Sequence, residues 1–325
     1  MMTGTPKYQA TRFFEPATEA LRFLPEGPRI LRNYPGASPK LGWVAIQDSA
    51  TAVTGSINVL DLTTRQNQSI PLPGRPGFFA ETTRPGHVLI GLDRKLVSCN
   101  LLTGELDHLT IDFDCADDVT INDGLAVEGG VLFGTKHIGL TQPVAALHFF
   151  DSATRCVRTL VGGQTCSNGK FLRRDAEGAT LYDIDTLPNK AITRYRLDAT
   201  LEHVLNQSVA IAPDNLPGYP DGMRPAPDGE SAVIAFYNPE PVADGVAQQL
   251  SLTTGEVLCE WILPGAPRVT CPEFFEDNGV VKILFTTAVE GMPESTRRLA
   301  PGSGCLYLAD TPFREMPLPP PLVEW

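Results

Sequence analysis

The sequence contains no apolar run approaching the roughly 18 residues that a membrane-spanning helix needs. Its opening stretch, MMTGTPKYQATRFFEPATEA, lacks the basic-then-apolar layout of a secretory leader. Neither a membrane partner nor export is expected. No C-x-x-C pair occurs, and the cysteines (99, 115, 156, 166, 259, 271 and 305) are odd in number and scattered. Such a set reads as buried thiols in a reducing compartment rather than a disulfide framework, so the expected location is cytoplasmic. Positive charge is also short: 26 Lys and Arg face 38 Asp and Glu, a net of −12. A surface of that sign repels phosphate backbones, and nucleic acid is not an expected partner. Several catalytic signatures are missing as well. No H-E-x-x-H and no G-x-S-x-G occurs, and no G-x-G-x-x-G follows a strand. The stretch GGQTCSNGKF approaches a phosphate loop, but its first Gly is one residue out of place and Lys170 is followed by Phe171.

Gly and Pro, by contrast, are plentiful at 29 each and spread along the chain. That is well above the roughly 12% of average usage and points to a turn-rich, all-β protein. The arrangement of the glycines carries more. Glu26-Gly27, Asp123-Gly124, Asn168-Gly169 and Asp221-Gly222 open similar segments. Their spacing fits a repeat of about 50 residues starting near 26, 77, 123, 168, 221 and 271. Inside the units, short alternating strands such as ATLYDID and SAVIAFYN are separated by turns such as PDGE and TTGE. Six small antiparallel sheets in series read as a six-bladed β-propeller, whose closure removes exposed sheet edges. The propeller is expected over 21–310, with a 1–20 N-terminal extension and a Pro-rich 311–325 tail. The stretch KYQATRFFE (7–15) is a candidate outer strand for the last blade, and the tail is expected to lie extended on the surface.

Equivalent positions of a propeller's blades face one central channel. Glu26, Asn122 or Asp123, Asn168 and Asp221 are therefore expected to converge, although far apart in sequence. They are hard oxygen donors, which suit Ca²⁺ or Mg²⁺ rather than a thiolate-seeking metal. The competing reading is that Asp-Gly and Asn-Gly are simply favoured turn dipeptides.

Several stretches together resemble the SMP-30/gluconolactonase/luciferin-regenerating-enzyme group of six-bladed propellers. They are LPEGPR (24–29), INDGLAVEGGVLFGT (121–135), SNGKFLRRDAEGATLYDIDT (167–186), PDGMRPAPDGE (220–230), TCPEFF (270–275), LFTTAVEGM (284–292) and APGSGCLY (300–307). The resemblance implies that Glu26, Asn168 and Asp221 are metal ligands, and that Asn122 lies near the metal or the substrate, with Asp123 supporting the turn. It implies one divalent cation, Ca²⁺ first among Ca²⁺, Mg²⁺, Mn²⁺ and Zn²⁺. The implied partner is a small-molecule substrate, and the implied activity is metal-dependent opening of a lactone ring, in which the metal polarises the carbonyl and Asp221 serves as general base. Alternative readings are a metal-dependent esterase or phosphotriesterase, and a non-catalytic propeller pinned by the ion that binds a partner. The chain also departs from the pattern. Sugar-lactonase members resemble R-x-N-D-G, and here the Arg position is Thr120. The family's G-T-M becomes GTKHIG, which introduces Lys136 and His137. Both are candidate substrate contacts, Lys136 for an anionic group and His137 as a donor or acid/base at the channel mouth, against the plainer reading of loop residues.

Overall fold

The computed structural model describes residues 4–48 and 53–325. Its strands form six sheets. Blade one holds Leu24–Leu31, Lys40–Asp48, Val53–Asp61 and Asn67–Leu72, and blade two Pro76–Glu81, His87–Leu92, Lys95–Asn100 and Leu106–Asp112. Blade three holds Val119–Val127, Gly130–His137, Ala145–Asp151 and Cys156–Gln164. Blade four holds Ser167–Asp175, Gly178–Asp185, Ala191–Leu197 and Val204–Ile211. Blade five holds Tyr219–Pro225, Ser231–Tyr237, Gly245–Ser251 and Val257–Leu263, and blade six Val269–Asp277, Val280–Thr287 and Leu306–Asp310. Within a blade each strand pairs antiparallel with the next. The first strand of every blade touches the first strand of the following one, and that of blade six returns to blade one. This closed ring is a six-bladed β-propeller, and the first strands line its axis.

The ring is closed by the beginning of the chain. Lys7–Gln9 pairs parallel with Val257–Leu263 of blade five, and Thr11–Phe14 pairs antiparallel with Leu306–Asp310 as the fourth strand of blade six. The stretch expected as one outer strand is thus two, split at the buried Ala10, whose N–H reaches Ile262 O at 2.8 Å. At the other end the tail does more than cover the surface. Val323 is buried against blade two, exchanging backbone bonds with Glu81 and Thr83. Trp325 packs on Phe150 and under the Arg155 guanidinium.

The cores lie between blades, as the strand pattern requires. Phe171, Ile184 and Ile192 of blade four pack against Met223, Ile234 and Leu250 of blade five. Phe78 of blade two packs against Ile121, Phe133 and Phe150 of blade three. Burying large apolar side chains at about 25 cal/mol per Å² is the main favourable term for such a ring.

The repeated X-Gly steps belong to two kinds. Gly229 and Gly255, in the PDGE and TTGE turns, adopt positive φ as turn glycines do. Asp123-Gly124, Asn168-Gly169 and Asp221-Gly222 lie instead inside the first strands, so the turn-dipeptide reading does not hold for them. A Cβ on Gly169 would sit 2.4 Å from Met223 N, and one on Gly222 would sit 2.5 Å from Cys271 Sγ and 2.7 Å from Thr270 O. Glycine is needed there because the neighbouring blade's backbone passes too close for any side chain. Every first strand also breaks register at this level, between Glu26/Arg29, Pro76/Phe78, Ile121/Gly124, Ser167/Lys170, Pro220/Met223 and Val269/Cys271. A bulge re-aims one side chain, and six at one level turn a ring of residues toward the axis.

Candidate active site

Glu26, Asn122, Asp123, Asn168 and Asp221 all stand at these bulges and meet around the channel. Asn122 Nδ2 donates to Asn168 Oδ1 at 2.9 Å and to Ser167 O at 3.0 Å, which ties blade three to blade four. Asn168 Nδ2 donates to Thr186 Oγ1 at 2.8 Å, and that hydroxyl donates to Pro220 O at 2.8 Å, beside Asp221. The amide of Asn168 is thereby fixed at both ends, its nitrogen on Thr186 and its oxygen toward Asn122. Glu26 Oε2 accepts from Gly27 N–H at 3.2 Å, and Asp123 Oδ1 accepts from Gly124 N–H at 2.6 Å.

The carboxylates press on one another. Burial raises Glu26 to about 8, and the charge of Asp123 adds to it. Asp221 is raised well above the carboxylate range by burial, then by Glu26, Asp123 and Glu290. Asp123 is raised by burial and eased by Lys170. Among the described residues, none of these three forms an ion pair within 4.0 Å. Crowded carboxylates without an ion pair within 4.0 Å among the described residues, beside an asparagine oxygen, fit a hard divalent cation. Glu26, Asn168 and Asp221 could hold it. Among the described residues no three His, Cys, Asp or Glu side chains form a metal-binding group by themselves.

Beneath this layer lies a charged floor. Lys170 is fully buried, 3.3 Å from Asp183, and donates to Asn168 O. Asp183 also accepts from Gln164 at 2.6 Å and Ser167 at 2.9 Å. Arg224 reaches Glu273 at 2.9 Å and Arg29 reaches the same carboxylate at 3.3 Å. These cations support the strand segments carrying the ring: Arg224 also donates to Met223 O at 2.7 Å and Pro28 O at 3.2 Å.

Three residues near the ring escape a reading of the motifs. Arg75, buried at the start of blade two, donates to Ile121 O at 2.7 Å and Asn122 Oδ1 at 3.3 Å. Glu290 stands close enough to raise Asp221 and Glu26. Its backbone is pinned by its N–H to Phe23 O at 2.9 Å and by the Tyr237 hydroxyl, which donates to its carbonyl at 2.8 Å. Tyr237 is itself raised by burial and then by Glu290. Glu290 lies in the TTAVEGM stretch, a visible signal, whereas nothing in LPGRPGFF marks Arg75.

The substituted positions separate. Lys136 joins the ring: burial lowers its ammonium, Arg75 lowers it further, and Cys166, Glu290 and Asp221 oppose this. His137, the next residue, does not. Its Nδ1 accepts from Thr141 N–H and Gln142 N–H, both at 3.1 Å, and its Nε2 lies 3.2 Å from Asp118. Adjacent strand residues face opposite ways, and both nitrogens of His137 are occupied in fixing the 138–142 loop. The expectation of a substrate-facing histidine at the channel mouth is corrected accordingly. Thr120 donates to Asp93 O at 3.1 Å and ties blade three to blade two. Cys166 is pushed up to about 12 by burial, which suits an inert thiol. Arg297 and Arg298, in the last blade's long loop, pair with Glu19 and Glu294 rather than with the channel.

A family model described as "SMP-30/Gluconolactonase/LRE-like region" matches residues 24–289. Comparison with curated protein sequences gives no match. Among solved structures, a calcium-binding protein, regucalcin, from Agrobacterium tumefaciens is similar with a TM-score of 0.78 and 20% identity, over 98% of this chain and 99% of that one. A luciferin-regenerating enzyme gives 0.75 and 18%, over 93% and 95%. A gluconolactonase from Xanthomonas campestris gives 0.60 and 15%, over 93% and 89%.

Proposed function

The chain belongs to the SMP-30/gluconolactonase/LRE-like family, and on that premise we propose that it is a divalent-metal-dependent hydrolase that opens a lactone ring. The observation that carries this reading is the grouping of Glu26, Asp123, Asn168 and Asp221 at the bulged first strands, where the carboxylates raise one another and none has an ion pair within 4.0 Å among the described residues. Similarity to a gluconolactonase and to a calcium-binding regucalcin supports the same reaction and the same kind of ion.

Glu26, Asn168 and Asp221 would hold the cation. When bound, it supplies Lewis-acid polarisation of the substrate carbonyl and a counter-charge for the carboxylates. Asp221 takes a proton from the water that attacks the carbonyl carbon. The ring C–O bond then breaks, the ring oxygen takes the proton back from Asp221 and leaves as a hydroxyl, and the resulting hydroxy acid ionises and releases one proton to solvent. Asn122 acts here by positioning Asn168: Arg75 donates to its Oδ1, and both hydrogens of its Nδ2 are donated, to Ser167 O and Asn168 Oδ1. Lys170 keeps the Asn168 segment fixed from below, so the ring is organised before substrate arrives.

The test is proton release from a panel of lactones by chelator-treated protein, with each divalent ion restored in turn. Hydrolysis well above the spontaneous rate, dependent on the ion, is the expected result. Silence toward lactones with turnover of esters or phosphotriesters would replace the substrate class. Silence toward all of them, with the ion bound, would leave a non-catalytic propeller.

A further inference from the structure

Blade four carries a second concentration of polar side chains, away from the ring of oxygen donors. Its first strand holds Asn168 near one end and Arg173 near the other, on the order of 15 Å apart by strand rise. Arg173 stands opposite Thr180, Thr180 opposite Arg196, and Arg196 opposite Asn206. The next row on the same face runs Tyr182, Arg194 and Ser208. A third row, Ile184, Ile192 and Ile211, packs into the core shared with blade five. The two polar rows line a groove of about 270 Å³ instead. Tyr182 is buried and stacked on Phe171 with ring centroids 6.0 Å apart, so its ring is the fixed apolar element of that groove. Arg173 and Arg194 are exposed.

Three guanidiniums enter this lining and no carboxylate does, in a chain whose acids outnumber its bases 38 to 26. Arg196 is neutralised by Asp175, which accepts from its two terminal nitrogens at 2.6 and 2.8 Å. Arg173 and Arg194 form no ion pair within 4.0 Å among the described residues. Arg194 donates through Nε to Ser208 Oγ at 3.2 Å, which steadies the guanidinium and leaves its outer fork open. Arg173 reaches Gly229 O, across the seam with blade five, at 3.5 Å. Asp228, beside that glycine, is engaged by Ser231 and by the Glu230 N–H. Strand spacing and side-chain repeat put Arg173 and Arg194 on the order of 12 Å apart at Cα, so two long side chains can close on one group between them. A guanidinium fork matches a pair of phosphate oxygens, and the hydroxyls of Tyr182 and Thr180 add donors. A carboxylate fills one fork, whereas a phosphate dianion has oxygens for two. The volume equals that of roughly nine waters, which leaves room for an organic body against the Tyr182 ring. We propose that this groove is a second ligand site, which takes the phosphate group of a small molecule between Arg173 and Arg194. No bond is made or broken there, and the inference is independent of the lactonase reading.

The experiment is a calorimetric titration of the chelator-treated full chain at low ionic strength with phenyl phosphate, inorganic phosphate and benzoate. Wild type is expected to bind phenyl phosphate at least tenfold tighter than benzoate. The double variant Arg173→Gln/Arg194→Gln should weaken phenyl phosphate at least tenfold. Arg194→Lys alone, which keeps the charge but not the fork, should weaken it less than Arg194→Gln. Added salt should weaken wild type more than the double variant, because the two forks are exposed and screened. The two phosphate arms separate the sources: tighter binding of the ester assigns the site to a phosphorylated compound, and equal binding assigns it to the free ion. Equal affinity of wild type and the double variant for phenyl phosphate overturns the proposal and places any binding elsewhere. So does benzoate bound as tightly as phenyl phosphate, or a folded wild type that binds neither phosphate at millimolar concentration. Melting curves identify a double variant that fails to fold; Arg194→Gln then replaces it under the same criteria.

Discussion

Stripped of divalent ions, the protein should lose stability as pH rises from about 5 to 8, and calcium should restore it. The cause is the carboxylate ring. Glu26 is raised from an ordinary value of 4.5 to about 8. A carboxyl whose folded pKa is raised contributes stability that is fully present below its unfolded pKa and lost as pH rises through the folded one. The window therefore runs from about 4.5 to about 8. A shift of that size on a coupled group corresponds to roughly 3–5 kcal/mol. For a chain of this length that is a fall in Tm on the order of 5–10 °C. Calcium at about 100 times its Kd should return about 2.7 kcal/mol by mass action. The assay is a melting series at pH 5, 6, 7 and 8, with chelator and with calcium, on wild type and Glu26→Gln. The variant removes the ionising group and keeps its shape, so its slope over this window should flatten. A slope identical in wild type and Glu26→Gln would refute the reasoning. So would a calcium effect that is absent at pH 8 in a folded protein.

Other expectations follow from individual contacts. Gly169→Ala forces a methyl to 2.4 Å from Met223 N, and should destabilise by about 1–3 kcal/mol while disturbing Asn168; a denaturant melt together with turnover measures both. Lys170→Met leaves Asp183 buried without its cation, a loss of about 3–5 kcal/mol. The double variant Lys170→Met/Asp183→Leu should lose less than that single variant by the same melt. Asp221→Asn should reduce lactone turnover by about 10²–10⁴ if it is the general base, read by proton release. His137→Ala should lower stability by about 1–2 kcal/mol through lost bonds to Thr141 and Gln142. It should leave the pH profile of turnover in place, and a displaced profile would return the histidine to the chemistry.

The repeat made the blades legible. Starts read near 26, 77, 123, 168, 221 and 271 fall close to first strands beginning at 24, 76, 119, 167, 219 and 269. They were readable in part because a close approach of neighbouring backbone selects glycine at Gly77, Gly169 and Gly222, and in part because the strand-and-turn pattern repeats at the same spacing. The oxygen donors Glu26, Asp123, Asn168 and Asp221 were legible because each precedes a glycine at the same level of its blade. Residues that serve one blade only left no such mark. Arg75 occupies a position used once, and its role depends on a hydrogen bond to Asn122 from a strand 47 positions away. Lys136 and His137 illustrate a different limit. They are neighbours on a strand, so one must face the channel and the other away, and a single residue of register decides which. The bulge at Ile121/Gly124 in the facing strand intervenes in that register, and no composition rule announces it. The split of the N-terminal strand at Ala10 likewise depends on the seam between blades five and six, which only the closed ring creates.

The most direct test of the central claim is a calorimetric titration of chelator-stripped protein with calcium, run beside Asp221→Asn. The account predicts one site per chain in the wild type, with protons released at pH 7 as the raised carboxyls ionise around the ion. It predicts at least tenfold weaker binding in the folded variant. A folded wild type that takes up no calcium or other divalent ion, or an Asp221→Asn variant that binds it equally well, would contradict the convergence of Glu26, Asn168 and Asp221 on a single cation.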